Sequence, residues 1–173
     1  MNKEKQKVMQ LKEIEERDDC FYLTLSYRFS NVSDCLEMIK QRKFILTTPT
    51  RSVFDSKSFT LSLSSEVKIV ILKSNIFSYK DRTIKNAILE GKKRGFKVPS
   101  ADVAVMLRAM LTNKDLTALD LRWGLVVMHK RIKDSWGRMT FLHVTTYEHG
   151  QYISTLPDIP NKSWSSDGFV FCV

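Results

Sequence analysis

The chain has 173 residues, enough for one domain and short for two of ordinary size. Hydrophobic residues make up 43% and charged residues 27%, as in an average globular protein, which excludes disordered and fibrous classes. The 28 Lys and Arg residues outnumber the 19 Asp and Glu residues, so the formal net charge is +9. Such a basic chain attracts polyanions, and nucleic acid is the commonest polyanion in a cell.

Cysteine usage and hydropathy indicate the compartment. Cys20, Cys35 and Cys172 form neither a CxxC pair nor a metal-ligand spacing. An odd number of cysteines without a secretory signal is typical of reduced thiols. The aliphatic runs are far shorter than the roughly 20 residues that a membrane helix needs. We therefore expect a soluble cytoplasmic protein that uses no metal or cofactor and contacts no membrane.

An N-terminal helix is predicted first along the chain. Apolar residues recur at helical spacing among the charges of residues 3–17, and Asp18-Asp19 would end the helix. We expect residues 1–18 to form a helical arm that docks on the rest of the chain or joins two copies into a homo-oligomer.

The next segment alternates strands with one helix. Apolar and polar residues alternate from Phe21 to Phe29, the clearest strand pattern in the chain. Residues 32–39 carry apolar side chains at i, i+3, i+4 and i+7, which predicts a helix that Asn31 could cap. Further strands are predicted at residues 44–46, where Pro49 would stop the strand or mark a sheet edge, at 59–63 and at 67–72.

Helices are predicted in the middle of the chain and strands at its end. The helices cover residues 79–95, a segment from residue 100, and a short one from residue 112. The strands cover residues 123–129, 139–146, 152–154 and 169–173. Because strands and helices cluster, we expect an α+β domain over residues 19–173, with mixed or antiparallel strands around a central two- to three-helix segment. A sub-boundary near residues 75–79 would divide the strands into two sheets, and the pattern leaves one sheet or two open.

Two basic clusters are the strongest functional signals. Lys92, Lys93, Arg94 and Lys97 lie within six residues, and the favourable interaction of cations with a helix C-terminus accounts for only one or two of them.

The second cluster comprises Lys130, Arg131, Lys133 and Arg138, which flank a turn carrying Trp136. Cations interleaved with an aromatic ring are typical of proteins that bind single-stranded nucleic acid. A solvated hairpin tip is the structural alternative.

A catalytic alternative rests on histidines. Two imidazoles acting as base and acid, with Asp134 in the intervening turn, are the minimum for metal-independent phosphodiester cleavage. His129 and His143 would face each other across a hairpin if the turn centred on Trp136. A turn centred between Asp134 and Ser135 would instead place His143 against Val126.

These patterns favour a binding protein over an enzyme. The predicted partner is nucleic acid or an acidic protein surface, contacted through both basic clusters. The alternatives are the phosphodiester-cleaving enzyme and a purely protein–protein interaction module.

Overall fold

The computed structural model describes residues 14–147 and 150–173. In chain order, its strands are β1 (Glu15–Arg17), β2 (Cys20–Ser26), β3 (Ile45–Leu46), β4 (Glu66–Lys73), β5 (Leu125–Lys133), β6 (Met139–Tyr147), β7 (Gly150–Pro157) and β8 (Gly168–Cys172). Its α-helices are α1 (Val32–Gln41), α2 (Thr48–Phe54), α3 (Ile84–Lys93), α4 (Val103–Met110) and α5 (Asn113–Ala118). None of these helices is both long and apolar enough to cross a membrane.

The strands of this part of the chain form one mixed sheet, in the order β1-β2-β4-β8-β5-β6-β7-β3. The β5–β8 and β3–β7 pairs are parallel, and the other neighbours are antiparallel. Strands on both sides of residues 75–79 therefore join one sheet, because β8 lies between β4 and β5. The fold is a mixed α+β arrangement, with α3, α4 and α5 between β4 and β5 in the chain.

Two apolar clusters cover the two faces of the sheet. Alternation along β4 sends Ile69 and Ile71 into the larger cluster and Val70 and Leu72 into the smaller one. Helices α1, α2, α4 and α5 contribute buried residues to the larger cluster, whereas α3 contributes to the smaller one. Part of the smaller-cluster face remains accessible beside α3.

The predicted N-terminal helix is wrong where the structure describes it. Residues 15–17 form β1, an exposed edge strand paired with β2, and residues 1–13 lie outside the described residues. Asp18 and Asp19 have φ values of 51° and 59°, and they connect Arg17 directly to its partner Cys20. Two successive residues with positive φ make a type I′ hairpin turn, so the aspartates end a strand rather than a helix.

Two further local predictions are wrong. Residues 59–63 form no strand, because the backbone around Thr60 and Ser62 bonds to the segment that begins α4. Pro49 does not stop a strand but lies in the first turn of α2, where its missing N–H costs nothing, although β3 before it does lie at an edge of the sheet.

The last strand forms close to its predicted position, and its two faces contact different clusters. Phe169 and Phe171 pack in the smaller cluster, while Val170 and Cys172 face the larger one. Val173 follows the strand and is 44% exposed, so the strand ends one residue before its predicted end.

Candidate functional site

A groove opens where β5 separates from β8. The two strands pair from Leu125–Gly168 to Val127–Val170, and beyond that point Lys97 pairs with Cys172 in a short antiparallel bridge. The segment around Lys97 therefore takes the place of β5 beside the end of β8. We call the resulting cleft, bounded by α3, residues 96–98 and β5, the α3–β5 groove.

An irregularity in β5 forms one wall of this groove. Val127 pairs with Leu142 and Ile132 with Thr140, so four residues of β5 lie opposite Phe141 alone. Those four residues, 128–131, all line the groove. A bulge bends its strand and redirects side chains. The wall is therefore built by the excess length of β5.

The groove has an apolar floor and a cationic rim. Its volume is about 190 Å³. Lys92 from α3 contributes one cation to the rim, and Lys130 and Arg131 from β5 contribute two more. The floor is lined by Ile88, Phe96, Val98, Met128, Phe141 and Phe171.

Two of the three rim cations are free to meet a ligand. Lys92 and Lys130 are exposed and form no ion pair within residues 14–147 and 150–173. Arg131 bonds to a carboxylate oxygen of Asp158 at 2.8 Å, with the Arg131 side chain 57% exposed. Residues from both predicted basic clusters thus line one groove.

The other members of the first cluster point elsewhere or have structural partners. Arg94 donates to Glu90 at 2.7 Å and to the carbonyl oxygen of Asp18 at 2.6 Å, which ties α3 to the β1–β2 turn. Lys93 lies 3.7 Å from the second oxygen of Glu90. Lys97 pairs with Cys172, which packs against the larger cluster, so its side chain lies on the face opposite the groove.

Asp134 organises the β5–β6 hairpin tip. Its carboxylate accepts bonds from the backbone N–H groups of Trp136 and Arg138 and two from the Arg138 guanidinium. Burial raises the pKa of Asp134, but these bonds outweigh it and lower the pKa overall. This geometry gives Asp134 a structural role rather than a catalytic one.

The β5–β6 hairpin tip displays an exposed aromatic ring. Arg138 stacks on Trp136, with 4.3 Å from its guanidinium carbon to the ring centroid, and Trp136 is 62% exposed. Lys133 lies two residues beyond Arg131, and Ile132 between them faces the larger cluster, so both cations project from the groove side of β5.

His129 holds the irregular part of β5 together. Its Nε2 accepts the backbone N–H of Leu142 at 2.8 Å, so the proton of the neutral ring is on Nδ1. Nδ1 donates this proton to the carbonyl oxygen of Lys130 at 2.6 Å. Burial lowers the pKa of His129 to about 4, although the bond to Lys130 opposes this. Both ring nitrogens are therefore occupied, and the neutral imidazole replaces a missing backbone partner.

His143 lies apart from His129. The turn is centred on Trp136, as in the first predicted register, but the bulge in β5 shifts the pairing so that His143 lies opposite Val126 rather than opposite His129. Its Nδ1 and Nε2 lie 3.4 Å from the hydroxyls of Ser154 and Ser166, and burial lowers its pKa to about 4. The geometry gives no acid–base pair of histidines.

Sequence reasoning overlooked several polar groups. Ser154 and Ser166 flank His143 only because β7 and the loop before β8 meet there. Arg108 is 1% exposed, donates to the carbonyl oxygens of Thr145 and Leu111, and has no bond at Nε. No group of three potential ligands among His, Cys, Asp and Glu could hold a metal ion in the part of the chain that the structure describes.

Comparison of the chain with protein-family models, with curated proteins and with solved structures finds no match.

Proposed function

We propose that this protein binds nucleic acid through the α3–β5 groove and the adjoining surface of β5. The observation that carries the proposal is the meeting of Lys92 with Lys130 and Arg131 around one groove, although the two basic clusters lie far apart in the chain. Cations that neutralise phosphates release counterions from a nucleic-acid backbone when they bind, which favours association.

The charge of the whole chain supports this assignment. A net charge of +9 attracts a polyanion over a distance, and the free rim lysines provide a local contact once it arrives. Lys133 extends the basic surface along β5 toward the hairpin tip. A phosphate backbone bound at the groove would therefore follow β5 toward Trp136.

Salt dependence tests the proposal. The double variant Lys92→Gln/Lys130→Gln removes two rim cations that form no ion pair with any described residue, so the fold should persist. If each lysine neutralises one phosphate, the slope of log K against log salt for a single strand should flatten by about 1.4, at roughly 0.7 per contact. The matched control is Lys57→Gln/Lys114→Gln, which removes the same charge from exposed positions near α2 and α5, on the other side of the sheet.

Two outcomes would overturn the proposal. One is the absence of measurable affinity for DNA, RNA and heparin at low salt, which would favour a protein–protein interaction module. The other is an equal flattening in both double variants, which would mean that binding reflects net charge alone and that the groove is not the site.

A further inference from the structure

The floor of the α3–β5 groove is not what a purely electrostatic site requires. Cations on a flat surface are sufficient to neutralise phosphates, yet here they surround an apolar pocket of about 190 Å³. A cavity of about 150 Å³ lined by apolar side chains holds one benzene molecule. The pocket therefore has the size of a single planar ring system.

The walls of the pocket suit an aromatic occupant. Phe96 is half-buried, its ring centroid lies 5.8 Å from that of Phe171, and both residues line the pocket. The rings of His129 and Phe141, also 5.8 Å apart, contribute the side nearer β6. Nucleobases stack on aromatic rings with little dependence on their identity.

The distribution of cations around the pocket narrows the class of possible ligands further. Lys92 stands on the α3 wall, and Lys130 and Arg131 stand on the β5 wall, with the apolar floor between them. A ligand with one terminal anionic group would use only one of these walls. A nucleotide chain carries a phosphate on both sides of each base and matches both walls.

We infer that the α3–β5 groove takes up one unpaired base of a single-stranded nucleic acid, with the flanking phosphates on Lys92 and on Lys130 and Arg131. The inference rests on the proposed nucleic-acid binding and specifies its substrate class. A base inside a duplex is stacked and paired, so it cannot enter the pocket without being extruded. The protein should therefore prefer single strands to duplexes.

Two probes of equal charge test the inference. Fluorescence anisotropy would compare an oligothymidylate with an abasic deoxyribose-phosphate chain that has the same number of phosphates. The wild-type protein should bind the thymidylate about tenfold or more tightly, in line with the stacking energy of a base on an aromatic ring. Heparin would serve as a polyanion without bases.

Val98→Phe supplies a variant that blocks the pocket. Val98 lines the pocket and is 60% exposed, so a larger ring there should fill the cavity without disturbing the core. The control is Leu89→Phe on α3, which changes a 54% exposed residue outside the pocket lining. Val98→Phe should reduce the ratio of the affinity for thymidylate to that for the abasic chain to near one. Leu89→Phe should keep the wild-type ratio. The affinity for heparin should stay unchanged in both variants.

The outcomes separate the inference from the proposed function. Equal affinity of the wild-type protein for both chains, or an unchanged preference in Val98→Phe, would overturn base insertion and leave binding by charge alone. If the wild-type protein has no measurable affinity for either chain or for heparin, the proposed function itself is overturned. If Val98→Phe weakens the binding of an acidic peptide with an aromatic side chain but not that of nucleic acid, the partner is a protein and not a nucleic acid.

Discussion

His129 illustrates how one buried side chain can maintain an irregular strand. Four residues of β5 face one residue of β6, so the regular ladder of hydrogen bonds cannot continue through this region. The imidazole accepts the N–H of Leu142 and donates to the carbonyl oxygen of Lys130, which satisfies two backbone groups that the bulge would leave unpaired. His129 is thus a positioning residue for the wall of the α3–β5 groove.

Protonation of His129 should destabilise the fold. Its pKa is about 4 when folded and near 6.5 when unfolded, so the unfolded state binds the proton more readily. The full stability is present above about pH 6.5 and is lost as the pH falls toward 4, at a limiting slope of about 1.4 kcal/mol per pH unit. Urea unfolding across this range would measure the total slope, to which His143 also contributes because burial lowers its pKa to about 4 as well.

His129→Gln provides the matched variant for this prediction. An amide cannot take up a proton in this range but keeps a donor and an acceptor. The variant should therefore be less stable at neutral pH yet lose less stability on acidification than the wild-type protein. A parallel decline in both proteins would assign the acid sensitivity to other groups, including His143.

Trp136 should contribute to binding at the end of the basic surface. Arg138 covers one face of its ring and the residue is 62% exposed, so the ring offers a stacking surface next to Lys133. Trp136→Ala should cost roughly 1–3 kcal/mol in affinity for a single strand and leave heparin binding unchanged, because stacking is lost but charge is not. Trp123→Ala, which truncates an equally exposed tryptophan that precedes β5 at the end away from the hairpin tip, is the control. Unaltered single-strand affinity would mean that the bound chain does not reach the tip.

At the scale of the element, α3 approaches the sheet through Gly91. A Cβ atom at this position would lie 2.7 Å from two ring carbons of Phe171, closer than real Cβ atoms come to other atoms. The absence of a side chain therefore sets the spacing between α3 and β8, and with it the depth of the groove beneath Lys92.

Gly91→Val should separate α3 from the sheet. Overpacking against the buried ring should lower the free energy of unfolding by about 1–3 kcal/mol. Lys93→Val controls for helix propensity, since it places the same branched residue on the exposed side of α3 and should cost only a few tenths of a kcal/mol. Thermal or urea denaturation would compare the two variants, and an unchanged or raised stability of Gly91→Val would show that Phe171 can move aside at no cost.

Local patterns in the sequence predicted elements well where one face is buried. The alternation around β2 and the apolar spacing of α1 are examples, because burial of a single face imposes a period of two or of about 3.6. Asp18-Asp19 misled the helix prediction because aspartate both ends helices and tolerates positive φ in a tight turn. The local sequence pattern is compatible both with a helix end and with a hairpin turn.

The candidate site was only partly predictable for a different reason. The basic residues are visible in the sequence as clusters. Which of them line the groove, form ion pairs or lie on the opposite face of the sheet depends on the bridge between Lys97 and Cys172 and on the bulge in β5. Both are contacts between distant parts of the chain, which periodicity does not encode. The aromatic floor was missed because Phe96, Phe141 and Phe171 each resemble ordinary core residues in sequence.

At the scale of the whole molecule, β8 holds the two halves of the sheet together. It bonds to β4 on one side and to β5 on the other, so strand pairing joins β1-β2-β4 to β5-β6-β7-β3 only through β8 in the described structure. Its residues Phe169 and Val170 are fully buried, one in each apolar cluster. The strand therefore completes both cores at once.

Removal of residues 169–173 should abolish cooperative folding. The truncation would expose the inner edges of β4 and β5 and leave a hole in both clusters, so the product should be insoluble. Deletion of Val173 alone is the control, because that residue is exposed and follows the strand, and its loss should change the thermal midpoint little. A soluble truncated protein with a sharp unfolding transition would contradict the prediction.

The position of β8 also has a consequence for how the protein is made. β4 ends at Lys73, and the strand that covers its inner edge begins only at Gly168. At the usual rates of translation, roughly 5 to 20 s pass between the synthesis of these two residues. Throughout that interval the apolar edge of β4 is complete but unpaired on the nascent chain. The sheet can therefore close only after every other strand has been synthesised, and the nascent chain is most exposed to aggregation or chaperone capture just before that point.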